Sequence, residues 1–211
     1  MQAIWESPRF QVALEGIERA ERDRVYCRHG FGHLLDVARI AWILNLERGC
    51  AFERELVYAA ALLHDIGRGA QYATGEPHDE AGSRVAAAIL DELPAESRFP
   101  EREREAILAA VRGHRGAACG GSGDARGAGG DTCGNDGDAR GAGGDTCGND
   151  GFAYGGAGDV RGCRVSEPEV PLEQLAQLIS EADGLSRPCY ACPAREGCYW
   201  TDERKNLKLD I

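Results

Sequence analysis

The chain has 211 residues, enough for one domain with a substantial core, and its formal net charge is −11. This acidic balance disfavours a nucleic-acid-binding surface, which needs clustered Lys and Arg, but it allows a small phosphorylated substrate. Nothing resembles a signal peptide, and no apolar run approaches the roughly 20 residues of a membrane span. We therefore expect a cytoplasmic protein without a membrane partner, in which closely spaced cysteines bind metal rather than form disulfides.

In chain order, the sequence predicts six helices and no strands, so the expected fold class is an all-α helical bundle. Ser7 and Pro8 cap and open the first helix, which is predicted to run to about Arg24. The segment HLLDVARIAWIL predicts a second helix, whose apolar face carries Leu34, Val37, Ile40, Ala41 and Leu44. The other four helices are predicted over residues 53–64, 79–93, 100–114 and 171–182.

A segment of different composition, residues 116–163, separates the last two helices and contains 18 of the 29 glycines. Within it, GDARGAGGDTCGND occurs at 123–136 and again, unchanged, at 137–150. Such a segment cannot bury enough apolar area to offset its chain entropy, so we predict a disordered insert. The expected organisation is a helical core over 1–115, the insert over 116–163, the last core helix over 164–188 and a cysteine-rich metal-binding tail over 189–211.

Histidines and aspartates stand at the ends of the predicted helices. The clearest case is YAAALLHDIGRGA, in which an apolar helix finishes on an adjacent His and Asp, and Gly67 is expected to end it. A single such residue is typically a cap or a surface group, but the whole set predicts a metal centre between helices. The candidate ligands are His33, His64, Asp65, His78, His114 and Asp183.

These segments resemble the HD-domain metal-dependent phosphohydrolases. HLLDVARIA carries the first ligand, LLHDIGRG the His-Asp pair and EADGLS the closing aspartate, while HDEAGSRVAAAIL and AILAAVRGH are similar to the extra-histidine segments of dinuclear members. The resemblance implies an HD-domain bundle that binds two divalent ions. It implies that His33, His64, Asp65 and Asp183 hold one ion, and that Asp65 bridges to a second ion held also by His78 and His114.

The resemblance further implies hydrolysis of a phosphoester or phosphoanhydride in a small, nucleotide-like substrate. A metal-bound hydroxide would attack phosphorus in line, with Asp65 as the bridging ligand. Nitrogen and oxygen donors without thiolate suit Fe, Mn or a similar divalent ion. Arg68 stands where the family often has a lysine, and we expect it to clamp a phosphate oxygen. Asp36, one turn after His33, either orients that helix or is simply exposed.

Two other functions stay open at this point. Some HD-fold proteins are di-iron oxygenases that use nearly the same ligands, so the resemblance also allows oxygen chemistry. The chain could instead be a non-enzymatic redox or metal sensor, in which a cysteine site does the work. The intact His and Asp set favours the hydrolase. The sequence does not identify the substrate or the oligomeric state.

The cysteines of the tail form a second candidate site. RPCYACPAREGCYW contains Cys189, Cys192 and Cys198, and its first pair has the spacing of a metal knuckle. Cys27 is the predicted fourth ligand. It lies six residues before one implied ligand, His33, while Cys189 lies six residues after another, Asp183, which places both cysteines near one point.

Four thiolates suit zinc or an iron–sulfur cluster, and the sequence does not separate the two. His29 could replace one thiolate, but we expect it to be an ordinary loop histidine. Cys50, at a predicted helix end, needs no special role.

Overall fold

The computed structural model describes residues 1–114 and 172–209, and this part of the chain contains helices and no strand. The predicted all-α fold is therefore confirmed. The predicted insert over residues 116–163 lies outside the described residues. None of the described helices is long and apolar enough to cross a membrane.

Six helices of 10 to 18 residues correspond to the six that the sequence predicts. Two further α-helices, of four and seven residues, were not predicted because they are too short to show a periodic pattern. Short 3₁₀ turns add local structure, three of them in the cysteine-rich tail. The α-helices are α1 (Gln2–Trp5), α2 (Pro8–Ala20), α3 (Phe31–Arg48), α4 (Arg54–Leu63), α5 (Arg68–Thr74), α6 (His78–Asp91), α7 (Glu101–Gly113) and α8 (Leu172–Leu185).

Helix α2 begins as the sequence predicts but ends earlier. The Ser7 hydroxyl accepts a hydrogen bond from the Phe10 backbone N–H, and Pro8 occupies the first turn. The helix stops at Ala20 rather than near Arg24, because the next residue, Glu21, turns inward and is almost fully buried. The chain from 21 to 30 then folds back as a loop before α3 begins.

Helices α3 and α4 form the centre of the bundle. All five residues of the predicted apolar face of α3 are buried, and α3 packs on both α4 and α8. It ends at Gly49, whose φ of +62° is the left-handed conformation that favours glycine. Helix α4 is buried along most of its length and also contacts α7 and α8, which explains its alanine-rich apolar sequence.

Gly67 does not end α4, as the sequence suggested, but precedes the first residue of α5. Helix α4 ends at Leu63, and Gly67 has a φ of −81°, which any residue can adopt. Its function is steric, since a Cβ there would lie 2.0 Å from the backbone oxygen of His78 and 2.3 Å from the backbone nitrogen of Gly82. The missing side chain lets α6 approach the end of α4 and brings His78 close to Asp65.

Candidate metal centre

The six candidate ligands come together at one end of the bundle. His33 lies in the first turn of α3, His64 and Asp65 follow α4, and His78 opens α6. His114 follows α7, and Asp183 lies in the last turn of α8. Five separate parts of the chain thus bring imidazole and carboxylate groups to one place.

The two carboxylate oxygens of Asp65 face two different groups of side chains. Oδ2 lies 3.7 Å from His33 Nε2 and 3.4 Å from His64 Nε2, and His33 Nε2 lies 3.3 Å from Asp183 Oδ1. Oδ1 lies 3.5 Å from the Nε2 atoms of both His78 and His114. Within each group, one potential ligand atom per residue lies within 4.8 Å of all the others. The structure therefore contains two neighbouring groups of potential metal ligands, and Asp65 belongs to both.

Hydrogen bonds on the outer side of the rings turn the Nε2 atoms inward. His64 Nδ1 lies 2.7 Å from the Ala61 carbonyl oxygen, and His114 Nδ1 lies 2.8 Å from the Val111 carbonyl oxygen. A carbonyl only accepts, so Nδ1 carries the proton in each ring and the Nε2 lone pair points to the centre.

Ser186 does the same for His33. Its hydroxyl donates to the Asp183 carbonyl oxygen at 2.8 Å and lies 3.2 Å from His33 Nδ1. Having given its only hydrogen to a carbonyl, the hydroxyl accepts from the ring, so His33 also presents an Nε2 lone pair.

Buried polar atoms without hydrogen-bond partners support a cation at this place. His33 Nε2, His64 Nε2 and both carboxylate oxygens of Asp65 are buried with no hydrogen-bond partner. Unpaired buried polar atoms are costly, and a bound cation would satisfy all of them. The residues present therefore fit divalent metal ions, and their nitrogen and oxygen donors suit Fe, Mn or a similar ion.

Arg68 is placed beside the centre by α5. Its Nε lies 2.9 Å from Asp65 Oδ2. Burial alone would raise the pKa of the Asp65 carboxyl, but the charges of Arg68 and His64 hold it well below its usual range. Asp65 is thus kept ionised, as a metal ligand must be. Asp36, by contrast, is more than half exposed.

His29 is not the ordinary loop histidine that the sequence led us to expect, because it is buried next to the centre. Its Nε2 lies 3.9 Å from Asp65 Oδ2, and its ring meets that of His33 edge to face at 5.3 Å. On the other side, the Glu21 carboxylate accepts hydrogen bonds from the His29 ring at 2.5 Å and from its backbone N–H at 2.6 Å. The carboxylate therefore fixes the orientation of the imidazole and leaves Nε2 facing Asp65.

Tyr72 completes this arrangement from α5, one turn after Arg68. Its hydroxyl donates to Glu21 at 2.5 Å. Burial alone would raise the pKa of the Glu21 carboxyl, but the hydrogen bonds of His29 and Tyr72 lower it to about 2. Burial lowers the pKa of His29 from its usual value. The only signal in the sequence was the position of His29, four residues before His33.

The four candidate cysteines lie around a cavity beside the metal centre. Cys27, Cys189, Cys192 and Cys198 all line this cavity of about 420 Å³, and His33 lines it too. However, the described groups of three or more ligand atoms within 4.8 Å of one another contain no cysteine sulfur. The predicted cysteines thus share one cavity, but their sulfurs are not gathered as tightly as the ligands of the His and Asp groups.

The family model for the HD domain matches residues 30–187, about three quarters of the chain. The chain therefore belongs to the HD domain family, which includes metal-dependent phosphohydrolases. A protein from Clostridium beijerinckii (strain ATCC 51743 / NCIMB 8052), described as an "Uncharacterized protein", is 30% identical over 192 residues. This alignment covers 91% of the chain and 86% of the relative. No solved structure shows a significant match. The matched range contains all six candidate ligands, whereas Glu21, His29 and the four cysteines of the cavity lie outside it.

Proposed function

We propose that this protein is a metal-dependent phosphohydrolase that cleaves a phosphoester or phosphoanhydride in a small, nucleotide-like substrate. The observation that carries the proposal is the position of Asp65, whose two oxygens face separate groups of histidines. This arrangement suits two ions rather than one.

Each cation position has its own ligands. His33, His64 and Asp183 would hold one ion with Asp65, and His78 and His114 would hold the other with the same aspartate. When bound, two such ions lower the pKa of a coordinated water and neutralise charge on phosphoryl oxygens.

The neighbouring side chains act on the substrate and the reacting water. Arg68 contacts Asp65 through Nε, and its terminal nitrogens would donate to a phosphoryl oxygen. His29, oriented by Glu21, would accept a hydrogen bond from the reacting water at Nε2. Both residues lie on the Oδ2 side of Asp65, so we place the scissile phosphate there.

The proposal is tested by anaerobic turnover of the metal-reconstituted protein. Nucleotides and dinucleoside polyphosphates are supplied as a panel, and phosphate release or product nucleotide is measured without oxygen. Hydrolysis under these conditions supports the proposal. Consumption of oxygen with a carbon substrate, together with no phosphate release, would establish the di-iron oxygenase alternative instead.

The Asp65→Ala variant tests whether turnover depends on the metal ligands. Removing the shared carboxylate should abolish turnover and lower the bound metal, since both groups lose a ligand. Asp91→Ala is the control, because Asp91 is an exposed partner of Arg104 and should leave both quantities unchanged. Turnover that survives in Asp65→Ala would contradict the dinuclear assignment.

A further inference from the structure

The cavity lined by the four cysteines is a candidate site in its own right. Cys27 comes from the loop before α3, while Cys189, Cys192 and Cys198 come from the tail that follows α8. The two segments are far apart in sequence and meet at this cavity. The family match covers residues 30–187, so all four cysteines lie outside it, although His33 in the cavity wall lies inside.

The tail reaches this position without a hydrophobic core of its own. No residue between 183 and 209 is buried. Hydrogen bonds join the tail to the bundle: Tyr26 donates to the Gly197 carbonyl oxygen at 2.7 Å, and Asn206 donates to the carbonyl oxygen of Gly184 in α8 at 2.9 Å. Short segments that bury little apolar surface usually need a cross-link such as a metal site to stay folded. The four cysteines lie where they could bind a metal that cross-links the tail to the loop before α3.

The possible cross-links differ in how far apart they hold the four sulfurs. Zinc binds four thiolates at about 2.3 Å in a tetrahedron, so the sulfurs would lie about 3.8 Å apart. Among the described residues, no three cysteine sulfurs lie within 4.8 Å of one another, so the structure contains no group of sulfurs as compact as a zinc site. In a cubane iron–sulfur cluster each thiolate binds a different iron, so the sulfurs are held apart by the inorganic core. The cavity of about 420 Å³ between these cysteines leaves room for such a core.

The charge of the cavity wall agrees with this interpretation. Arg28, Arg187, Arg195 and Lys205 line the cavity, against the single carboxylate of Asp36. Arg187 is held in place by the ring of Trp200, 4.4 Å from its guanidinium carbon. An iron–sulfur core with four thiolate ligands carries a net negative charge, which nearby cations stabilise.

We propose that this cavity holds a [4Fe–4S] cluster. Its ligands are Cys27, Cys189, Cys192 and Cys198. The cluster fastens the tail to the loop before α3. It also supports the metal centre, because His33 lines the same cavity and is hydrogen-bonded to Ser186, three residues before Cys189. The proposal does not depend on the proposed hydrolase activity.

Acid-labile sulfide is the decisive measurement, since neither a zinc site nor the His and Asp centre contains it. The full chain is purified anaerobically and reconstituted with ferrous iron and sulfide. We expect about four sulfides per chain and a brown colour from visible charge-transfer absorption. The same sulfide content is expected in Asp65→Ala, so loss of the hydrolytic centre and absence of the cluster are separate results.

Three variants locate the cluster. Cys192→Ser should lose most of the sulfide, whereas Cys50→Ser should retain it, because Cys50 does not line the cavity. A variant with serine at Cys119, Cys133, Cys147 and Cys163 should also retain it. Full sulfide in Cys192→Ser, or its loss in the last variant, would overturn the assignment.

The wild-type protein alone can also refute the proposal. Bound zinc without sulfide would identify a mononuclear thiolate site. Neither metal nor sulfide at the cysteines would overturn the proposal as well, and protection of Cys192 from alkylation by a nucleotide of the panel would then identify the cavity as a substrate pocket. These measurements need no variant, so a misfolded variant does not leave the question open.

Discussion

Two buried carboxylates, Asp65 and Glu21, organise the histidines of the site. Asp65 has a separate histidine group on each oxygen, while Glu21 holds His29 beside it. The ligands could be predicted from sequence because His and Asp at helix ends are a local pattern. The pairing of Glu21 with His29 could not, because it depends on the path of the loop between α2 and α3.

The depressed pKa of Glu21 makes a pH-dependent contribution to stability. Its pKa is about 2 in the folded protein, against an ordinary value of 4.5. Because the folded value is the lower one, the stabilisation is complete above pH 4.5 and is lost as the pH falls towards 2. Glu21→Gln should therefore unfold more easily than wild type at pH 7, and the difference should shrink between pH 4.5 and pH 2.

Urea unfolding of both proteins across this pH range measures the difference directly. Other groups that titrate in the same range largely cancel in the comparison. Glu15→Gln, at an exposed position of the preceding helix α2, is the control and should follow wild type at every pH. A stability difference that stays constant down to pH 2 would show that the Glu21 carboxylate does not carry the effect.

At the scale of elements, the contact between α6 and the start of α5 determines whether the second histidine group forms. The six long helices follow from caps, prolines and apolar spacing, which are local signals. Helix α5 gives no such signal, although it carries both Arg68 and Tyr72. The close approach at Gly67 is likewise a tertiary property, so the sequence showed a glycine but not what it contacts.

Gly67→Ala tests that contact. The added methyl would overlap the backbone of His78 and Gly82, which cannot move as a flexible side chain can. We expect a loss of about 3 kcal/mol in unfolding free energy, together with weaker metal binding at His78 and His114. Thermal unfolding and metal content measure the two effects.

Gly16→Ala is the matched control for this substitution. Gly16 lies within α2, and a Cβ there would meet nothing within 4 Å. Alanine should raise stability by up to about 1 kcal/mol through its higher helix propensity. Equal effects of the two substitutions would mean that the approach of α6 is not tight in solution.

At the scale of the whole molecule, the glycine-rich segment makes the connection between α7 and α8 unusually long. Its neighbours α7 and α8 already pack together, with the Cβ position of Gly113 only 3.5 Å from Ala176. The chain between His114 and Leu172 therefore joins two adjacent helices, and its 57 residues are far more than a connection needs. Composition predicted an insert here, but could not show that the flanking helices pack side by side.

Deleting residues 123–150 shortens this connection from 57 to 29 residues, because the deleted stretch has 28. For a flexible loop, halving the length lowers the closure cost by only about 0.6 kcal/mol, so the melting temperature should stay the same or rise slightly. Phosphate release, metal content and labile sulfide should also be unchanged, since the deletion contains no candidate ligand. Removing one copy, residues 137–150, should give the same result. A clear fall in melting temperature or turnover in either deletion would mean that the repeats contact the folded protein. A shorter loop loses less entropy on folding, so the change in loop length cannot cause such a fall.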